Sequence, residues 1–90
     1  MINELFDLIE KRKKELPENS YLSSLFKEGG DKIIQKVGEE AVEVVIASKG
    51  GVKQRIIEEF ADLLFHSLVL LSYLGIHPKE ILEELDKRKK

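Results

Sequence analysis

Two neighbouring segments of the chain carry carboxylates at spacings that place them on helix faces. The first segment reads KVGEEAVEVV, so three glutamates interrupt residues that otherwise suit a buried helix. The second segment, EFADLL, carries two more acidic residues in the same way. Buried carboxylates are costly unless they find partners, shift their pKa or bind a metal ion. The acidic residues to explain are Glu39, Glu40, Glu43, Glu59 and Asp62.

A helical wheel separates each segment into a narrow ionisable stripe and a broad apolar remainder. The first stripe spans about 100° of arc and contains Lys32, Lys36, Glu39, Glu40 and Glu43. The second spans about 60° and contains Arg55, Glu59, Asp62, His66 and Tyr73. A charge stripe is usually a solvated face. Here apolar residues flank both stripes, which predicts surroundings that are partly buried.

The glycine pair Gly50-Gly51 lies between the two stripes and predicts a tight antiparallel turn. Residues that face each other across a symmetric turn have residue numbers with a constant total. The pairs that share one total are Glu43 with Glu59, Glu40 with Asp62, and Lys36 with His66. Carboxylates that meet in this way repel each other unless they are protonated or bridged by a cation, so we predict a divalent metal ion. All-oxygen ligands favour Mg²⁺ or Mn²⁺ over Zn²⁺ or copper.

Basic residues beside the acidic stripes indicate the class of substrate. Mg²⁺ keeps several waters and commonly binds a few carboxylates together with substrate phosphates. Lys32, Lys36 and Arg55 are placed to contact such phosphates. The residues alone therefore predict a metal-dependent enzyme that acts on a phosphorylated substrate. Taken singly, His66 is more often a core histidine bonded to a neighbouring carboxylate, and Tyr73 more often a packing residue.

Periodicity and capping residues predict five helices and no strand, which is an all-α fold. The predicted helices are one ending before Pro17, then 21–27, 31–49 and 52–74, and a last one that begins at Pro78. Ser20 and Asp31 are the predicted N-caps of the second and third helices. The last helix is predicted to have an inner face formed by Ile81, Leu82 and Leu85. Two long antiparallel helices would thus position the acidic stripes.

Composition excludes several classes of function. The 90 residues suffice for one domain, 1–90, and are too few for two. The net charge of −2 gives no reason to expect a nucleic-acid partner, and the absence of cysteine excludes disulfides and thiolate metal sites. The longest nearly apolar run, 63–76, is too short to span a bilayer, and the N-terminus is unlike a signal peptide. We therefore expect a cytoplasmic protein without a membrane partner.

Several short motifs in the sequence resemble those of one family. Glu39-Glu40-x-x-Glu43, followed by Glu59-x-x-Asp62, is similar to the E-E-x-x-E … E-x-x-D pattern of the MazG-type all-α nucleoside triphosphate pyrophosphohydrolases. More specific words are Ser20-Tyr21, the glycine turn before Asp31-Lys32-Ile33, Gln35-Lys36-Val37-Gly38-Glu39-Glu40-Ala41, and Ala61-Asp62-Leu63-Leu64-Phe65-His66. Together these resemble the phosphoribosyl-ATP pyrophosphohydrolase family over about residues 20–88.

This resemblance implies a reaction, a cofactor and an assembly. The reaction is the hydrolysis of phosphoribosyl-ATP to phosphoribosyl-AMP and pyrophosphate, the second step of histidine biosynthesis. The cofactor is Mg²⁺, and the assembly is a homodimer, or a higher oligomer, whose long helices complete a MazG-like bundle. The implied metal ligands are Glu40, Glu43, Glu59 and Asp62, and Glu39 joins them as a catalytic residue. The implied phosphate contacts are Lys32, Lys36, His66 and Arg55.

Two alternatives remain open at the level of sequence. A different MazG-type pyrophosphatase, a house-cleaning enzyme for ordinary or damaged nucleotides, would use the same acidic residues. A helical dimerisation module without catalysis would use them as interface ion pairs, since Lys36 lies at helical spacing from the glutamates. The Ser-Tyr and Lys-Val-Gly motifs favour the histidine-pathway substrate over the substrates of a house-cleaning enzyme.

Overall fold

Five α-helices make up the chain in a computed structural model, which describes residues 1–89. They are α1 (Ile2–Glu15), α2 (Tyr21–Glu28), α3 (Gly30–Gly50), α4 (Lys53–Leu74) and α5 (Pro78–Arg88). The described residues contain no strand, so the prediction of an all-α fold is confirmed. The two longest helices, α3 and α4, form the most extensive helix pair and carry the two ionisable stripes.

One predicted N-cap is correct and the other is wrong. The Ser20 hydroxyl accepts a hydrogen bond from the Ser23 N–H at 3.2 Å and caps α2 as predicted. Asp31 is not the N-cap of α3, because the helix begins at Gly30 and Gly29, two residues before Asp31, is the N-cap. Gly29 has a φ of 96°, a conformation that glycine adopts without strain. Asp31 instead lies in the first turn, where its negative charge interacts favourably with the positive end of the helix dipole.

A short connection sets α3 and α4 side by side. Gly51 ends α3 in the left-handed conformation, with a φ of 77°, and its N–H bonds to the carbonyl oxygen of Ala47 at 3.1 Å. Only Val52 then separates Gly51 from the first residue of α4. The chain therefore reverses within two residues, which gives the antiparallel hairpin that the glycine pair predicted.

The hydrophobic core lies at one end of this hairpin. Its buried residues come from α1, α2, the start of α3 and the end of α4: Phe6, Ile9, Leu22, Leu25, Ile33, Leu68 and Val69. The opposite end has large apolar residues that are half or more exposed: Val42, Val45, Ile46, Val52, Ile57 and Phe60. The acidic stripes lie between a packed end and an unpacked end.

Polar groups attach α1 to the packed end of α4. Ser72 is fully buried; its hydroxyl donates to the Glu10 carboxylate, and its carbonyl oxygen accepts from Lys13 Nζ at 2.8 Å. Lys13 and Glu10 also form an ion pair at 2.9 Å. The hydrogen bonds from Ser72 and then Lys13 hold the pKa of Glu10 below its usual value. This network closes the core around the end of α4.

The last helix differs from its sequence prediction. α5 is bent by 107° from α4 and leaves Ile81, Leu82 and Leu85 about half exposed. Ile81 and Leu82 nevertheless line an apolar pocket together with Leu68 and other residues of α4, so the predicted inner face points toward α4 without being buried. Across residues 1–89, no helix by itself has the length and apolar composition of a membrane span, and only the bent pair of α4 and α5 passes that test jointly.

Candidate active site

Three carboxylates from the two long helices converge between the packed and the exposed ends of the hairpin. α3 supplies Glu40, and α4 supplies Glu59 and Asp62, which lie three residues apart on one helix face. One oxygen of each carboxylate lies within 4.8 Å of the others. These three residues are the acidic cluster. Across the hairpin, Glu40 and Asp62 are the pair that the register placed opposite each other.

Ion pairs offset part of the negative charge of the acidic cluster. Arg55 Nη1 lies 3.2 Å from a Glu59 oxygen, one turn earlier on α4, and Lys36 Nζ lies 3.4 Å from a Glu40 oxygen. Glu59 is one of the few buried charged residues, with 7% of its surface exposed. Two cations thus stand beside three carboxylates. The excess negative charge and the all-oxygen donor set fit a hard divalent cation such as Mg²⁺.

The other two predicted acidic residues lie apart from this group. Glu43, one turn further along α3, is half-buried and is outside the acidic cluster. Glu39 is exposed; it accepts a hydrogen bond from Gln35 Nε2 at 2.7 Å and pairs with Lys36 at 3.4 Å. These two contacts, Gln35 first, lower the pKa of Glu39. Glu39 therefore belongs to the edge of the site, where it shares Lys36 with Glu40.

The predicted phosphate contacts lie at different distances from the acidic cluster. Lys36 bridges Glu39 and Glu40, and Arg55 pairs with Glu59. Although burial disfavours the charged form, the Tyr21 hydroxyl and the two glutamates raise the pKa of Lys36, so it stays protonated. Lys32 lies one turn earlier on α3 and is half-buried. Lys32 and Lys36, one turn apart on α3, thus form a basic strip that ends beside Glu40.

His66 makes two hydrogen bonds that the sequence did not indicate. Its Nδ1 lies 2.8 Å from the carbonyl oxygen of Asp62, and its Nε2 lies 2.9 Å from the hydroxyl of Tyr21. The alternative of a histidine bonded to a neighbouring carboxylate is therefore incorrect in its partner, which is a backbone carbonyl. Only 7% of His66 is exposed. A direct phosphate contact would require it to give up one of these bonds.

Tyr21 is the residue at the site to which sequence reasoning assigned no role. It is the first residue of α2, placed there by the Ser20 cap, and its side chain reaches the Nε2 of His66. Burial raises its pKa; the charge of Lys36 opposes that effect, while the charges of Glu40 and Asp62 add to it. The Ser20 cap was the available signal, because it fixes where the first side chain of the helix begins.

Tyr73 lies away from the acidic cluster although it shares the α4 stripe. Its ring is in contact with Gly30, where an added Cβ atom would come within 2.8 Å of the Tyr73 Cε2 atom. Gly30 therefore permits a close approach between the end of α4 and the start of α3. Tyr73 is a packing residue, in agreement with the commoner interpretation.

Comparison with known proteins identifies the family to which this site belongs. A family model described as phosphoribosyl-ATP pyrophosphohydrolase matches residues 2–89, which include all three members of the acidic cluster. The chain belongs to this family. The resemblance predicted from the sequence is confirmed, and the chain is a hydrolase of the phosphoribosyl-ATP pyrophosphohydrolase family.

Curated relatives are similar over nearly the whole chain. A protein of Geobacter sulfurreducens named phosphoribosyl-ATP pyrophosphatase is 51% identical over 88 residues, which cover 98% of this chain and 82% of the relative. A protein of the same name from Geotalea daltonii is 51% identical over 88 residues, covering 98% and 83%. The one from Leptospira biflexa is 51% identical over 84 residues, covering 93% and 91%. The similarity thus extends well beyond the acidic motifs.

Proposed function

We propose that this member of the phosphoribosyl-ATP pyrophosphohydrolase family hydrolyses phosphoribosyl-ATP to phosphoribosyl-AMP and pyrophosphate, with Mg²⁺ as cofactor. In that role it performs the second step of histidine biosynthesis. The observation that supports this most strongly is the convergence of Glu40, Glu59 and Asp62 from two helices. The names of the relatives indicate phosphoribosyl-ATP as the substrate, and the acidic cluster is the proposed binding site of the cation.

The chemistry of the acidic cluster supports the proposal of Mg²⁺ as the cofactor. Its three carboxylates are hard oxygen donors on two different helices, and Mg²⁺ is commonly held by a few carboxylates and by substrate phosphates. We propose Glu40, Glu59 and Asp62 as ligands, with Glu43 as a further ligand from the next turn of α3. Bound there, the cation would neutralise phosphate charge and make a water more acidic. Glu39 lies nearby as the remaining proposed catalytic residue.

The basic residues of the site have a separate task, which is to bind the phosphates. Lys36 keeps its proton and lies beside the acidic cluster, so its ammonium group can donate to a phosphate oxygen. Arg55 is more than half exposed and can reach a phosphate while it stays near Glu59. Lys32 extends the basic strip by one helical turn. Charge that develops on the departing pyrophosphate is then stabilised by groups already in position.

Pyrophosphate release from phosphoribosyl-ATP, with and without Mg²⁺, tests the proposal directly. We expect turnover that depends on Mg²⁺ and exceeds turnover of any dNTP in a panel. Glu40→Gln should reduce kcat by about 100-fold or more, since catalytic electrostatic groups contribute on that order. Glu58→Gln is the matched control, because Glu58 is exposed, lies on α4 beside Glu59 and bonds only to Gln54 among the described hydrogen bonds.

Two results would contradict the proposed function. Preference for a dNTP would point to the house-cleaning class of MazG-type pyrophosphatases. Equal activity of Glu40→Gln and Glu58→Gln would remove the acidic cluster from catalysis and favour a purely structural role for its ion pairs.

We further propose that two copies of the chain associate through the exposed apolar end of the α3–α4 hairpin. Val42, Val45, Ile46, Ile57 and Phe60 are all half or more exposed there. Apolar residues grouped on adjoining helices are unfavourable in water, and a second copy offers the same group by symmetry. The acidic cluster adjoins this end, so a homodimer would also enclose the site. Higher oligomers would need a second surface, for which α5 has exposed apolar residues.

The extent of the domain and the location of the enzyme complete the proposal. The family model covers residues 2–89, which supports one catalytic domain across residues 1–90. A biosynthetic reaction on a phosphorylated nucleotide is expected in the cytoplasm, with a small-molecule substrate and neither a nucleic acid nor a membrane as partner.

A further inference from the structure

The side chain of Tyr21 occupies a position beside the acidic cluster that the proposed function leaves without a role. We propose that the Tyr21 hydroxyl oxygen accepts a hydrogen bond from an uncharged donor of the bound nucleotide, and that His66 is the positioning residue that keeps this oxygen an acceptor. The proposed donor is a sugar hydroxyl or the amino group of the base. The inference rests on the proposed function for the nature of the substrate.

A chain of hydrogen bonds fixes the direction in which each group donates. The carbonyl oxygen of Asp62 can only accept, so the nitrogen 2.8 Å away, His66 Nδ1, carries a hydrogen. In neutral imidazole the other nitrogen, Nε2, is then without one and accepts. With the ring in this neutral form, the Tyr21 hydroxyl, 2.9 Å from Nε2, donates its hydrogen to the ring. Its oxygen is left with lone pairs and with no hydrogen to offer a ligand.

Packing holds the His66 ring in this orientation. Phe65 lies edge-on to it at 5.1 Å between ring centroids, and the Tyr21 ring lies edge-on at 5.9 Å. The imidazole is almost completely buried, whereas 54% of Tyr21 is exposed. The hydrogen-bonding partner is thus rigid and inaccessible, while the group that it directs faces the outside. This is the arrangement expected of a binding contact supported by a positioning residue.

The surroundings of Tyr21 place its hydroxyl at the site. The Tyr21 hydroxyl contacts His66 Nε2, and the other nitrogen of that ring contacts the backbone of Asp62, a member of the acidic cluster. Tyr21 begins α2 and His66 belongs to α4, so this contact holds the hydroxyl one helical turn from Asp62 along α4. Within residues 1–89 no described hydrogen bond uses the lone pairs of the Tyr21 oxygen as acceptors. They remain available to a ligand bound at the acidic cluster.

The chemistry of an acceptor-only oxygen selects the part of the nucleotide that it can touch. Phosphate oxygens are also acceptors and carry negative charge, so they would be repelled by lone pairs and attracted instead to Lys36 and Arg55. Sugar hydroxyls and the amino group of a base are donors. Tyr21 therefore contributes to recognition of the nucleoside part, while the basic residues bind the phosphates.

A double-mutant cycle measures whether His66 acts through Tyr21. Tyr21→Phe should raise KM about fivefold with kcat nearly unchanged, since one neutral hydrogen bond is lost. His66→Leu should raise KM by a similar factor, and the double variant should be no worse than Tyr21→Phe alone. His66→Gln, which keeps an acceptor near the position of Nε2, should recover part of the loss. Tyr73→Phe is the control, because Tyr73 contacts Gly30 and not the acidic cluster.

Analogues distinguish the two possible donors. If the donor is a sugar hydroxyl, the substrate analogue that lacks it should bind the native protein as weakly as the normal substrate binds Tyr21→Phe, and that variant should show no further loss. If the Tyr21→Phe effect persists with every deoxy analogue, the amino group of the base is the donor. Either pattern supports the proposal. An unchanged KM for Tyr21→Phe overturns it, as does additivity of the Tyr21→Phe and His66→Leu effects.

A second measurement needs no turnover and no cation. Nitrogen NMR of the two histidines should place a hydrogen on Nδ1 of His66 and none on Nε2, and Tyr21→Phe should move the Nε2 resonance alone. A hydrogen on Nε2 would overturn the proposal, because the ring would then donate to the Tyr21 oxygen. Turnover of phosphoribosyl-ATP by the native protein tests the proposed function separately. If another nucleotide is preferred, the same cycle is run with that nucleotide.

Discussion

Individual carboxylates at this site differ in what balances their charge. Glu40 pairs with Lys36 and Glu59 pairs with Arg55, whereas no ion pair of Asp62 occurs among the described residues. Asp62 is also exposed, so water screens its charge in the metal-free protein. Its neutral replacement consequently leaves no unpaired partner behind. Asp62 is for this reason the best residue with which to separate metal binding from folding.

We expect Asp62→Asn to keep the stability of the metal-free protein and to lose most of the stabilisation that Mg²⁺ provides. The substitution relieves repulsion from Glu40 and Glu59. The free energy of unfolding measured in urea without metal should therefore be unchanged or slightly higher. With Mg²⁺ at 100 times its dissociation constant, the native protein should gain about 2.7 kcal/mol of unfolding free energy. The variant should gain well under half of that amount.

The control for this experiment is Asp86→Asn, an exposed residue on α5 that pairs only with Lys89 among the described ion pairs. Equal Mg²⁺-dependent stabilisation of Asp62→Asn and the native protein would exclude Asp62 as a ligand.

At the scale of helices, the geometry of the site depends on how α4 is held from both sides. The turn at Gly51 fixes its register against α3, and so sets which carboxylates face each other. The network of Ser72, Glu10 and Lys13 fixes its other end against α1. His66 lies between these two attachments and bonds to Tyr21 of α2. α1 and α2 therefore contribute to the site by holding α4 in position.

Removal of the Glu10 charge should weaken the α1–α4 attachment in a way that depends on pH. The hydrogen bonds of Ser72 and Lys13 lower the pKa of Glu10 from its ordinary value of 4.5, so the folded state favours the ionised form. The resulting stabilisation is present above pH 4.5 and is lost as the pH falls through the lowered pKa. Glu10→Gln should cost about 1 kcal/mol near neutral pH, a value reduced for the partial exposure of the carboxylate.

Urea unfolding of both proteins between pH 7 and pH 3 checks this expectation. The two free energies of unfolding should converge as the solution becomes acidic. Glu83→Gln, an exposed substitution on α5, supplies the reference for the loss of one surface charge. A difference that stays constant over the whole pH range would show that the Glu10 charge does not contribute.

At the scale of the whole molecule, the hydrophobic residues are divided unequally between the two ends. The packed end contains the core from α1, α2, α3 and α4, while the far end of the hairpin leaves Val45 and Phe60 more than half exposed. A chain of 90 residues buries a modest share of its apolar surface by itself, and a second copy would bury more. The acidic cluster lies where these two regions meet.

We expect the protein to have twice the mass of one chain in solution when it is measured by light scattering after gel filtration. A stable dimer commonly buries about 800 Å² on each partner, and the exposed apolar residues of α3 and α4 form the surface that we propose for it. Val45→Glu and Phe60→Glu should shift the protein toward monomer, because a charge at the interface disfavours association. Both substitutions should also lower kcat, because the proposed dimer encloses the active site. Lys11→Glu, on α1, should leave the mass unchanged. A native protein that is monomeric at micromolar concentration would contradict the proposed dimer.

The amino-acid sequence by itself determined the helices, the acidic stripes and the family. Helix ends are local properties, because residues such as Ser20, Pro17 and Gly75 act through the few backbone groups next to them. The angular position of a carboxylate on one helix follows from spacing alone. These features needed no knowledge of distant contacts, apart from the start of α3, where the conformation of Gly29 replaced the predicted cap at Asp31.

The tertiary structure decided which of these groups meet. A helical wheel gives angles on one helix, but the distance between two helices depends on their crossing and on side-chain direction. The spacing of residues predicts both Glu40 and Glu43 as metal ligands, yet only Glu40 joins Glu59 and Asp62 in the acidic cluster. The bond between Tyr21 and His66 joins residues 45 positions apart and has no periodic signal in the sequence. The exposed apolar end likewise follows from where the core forms, since burial is a property of the folded chain.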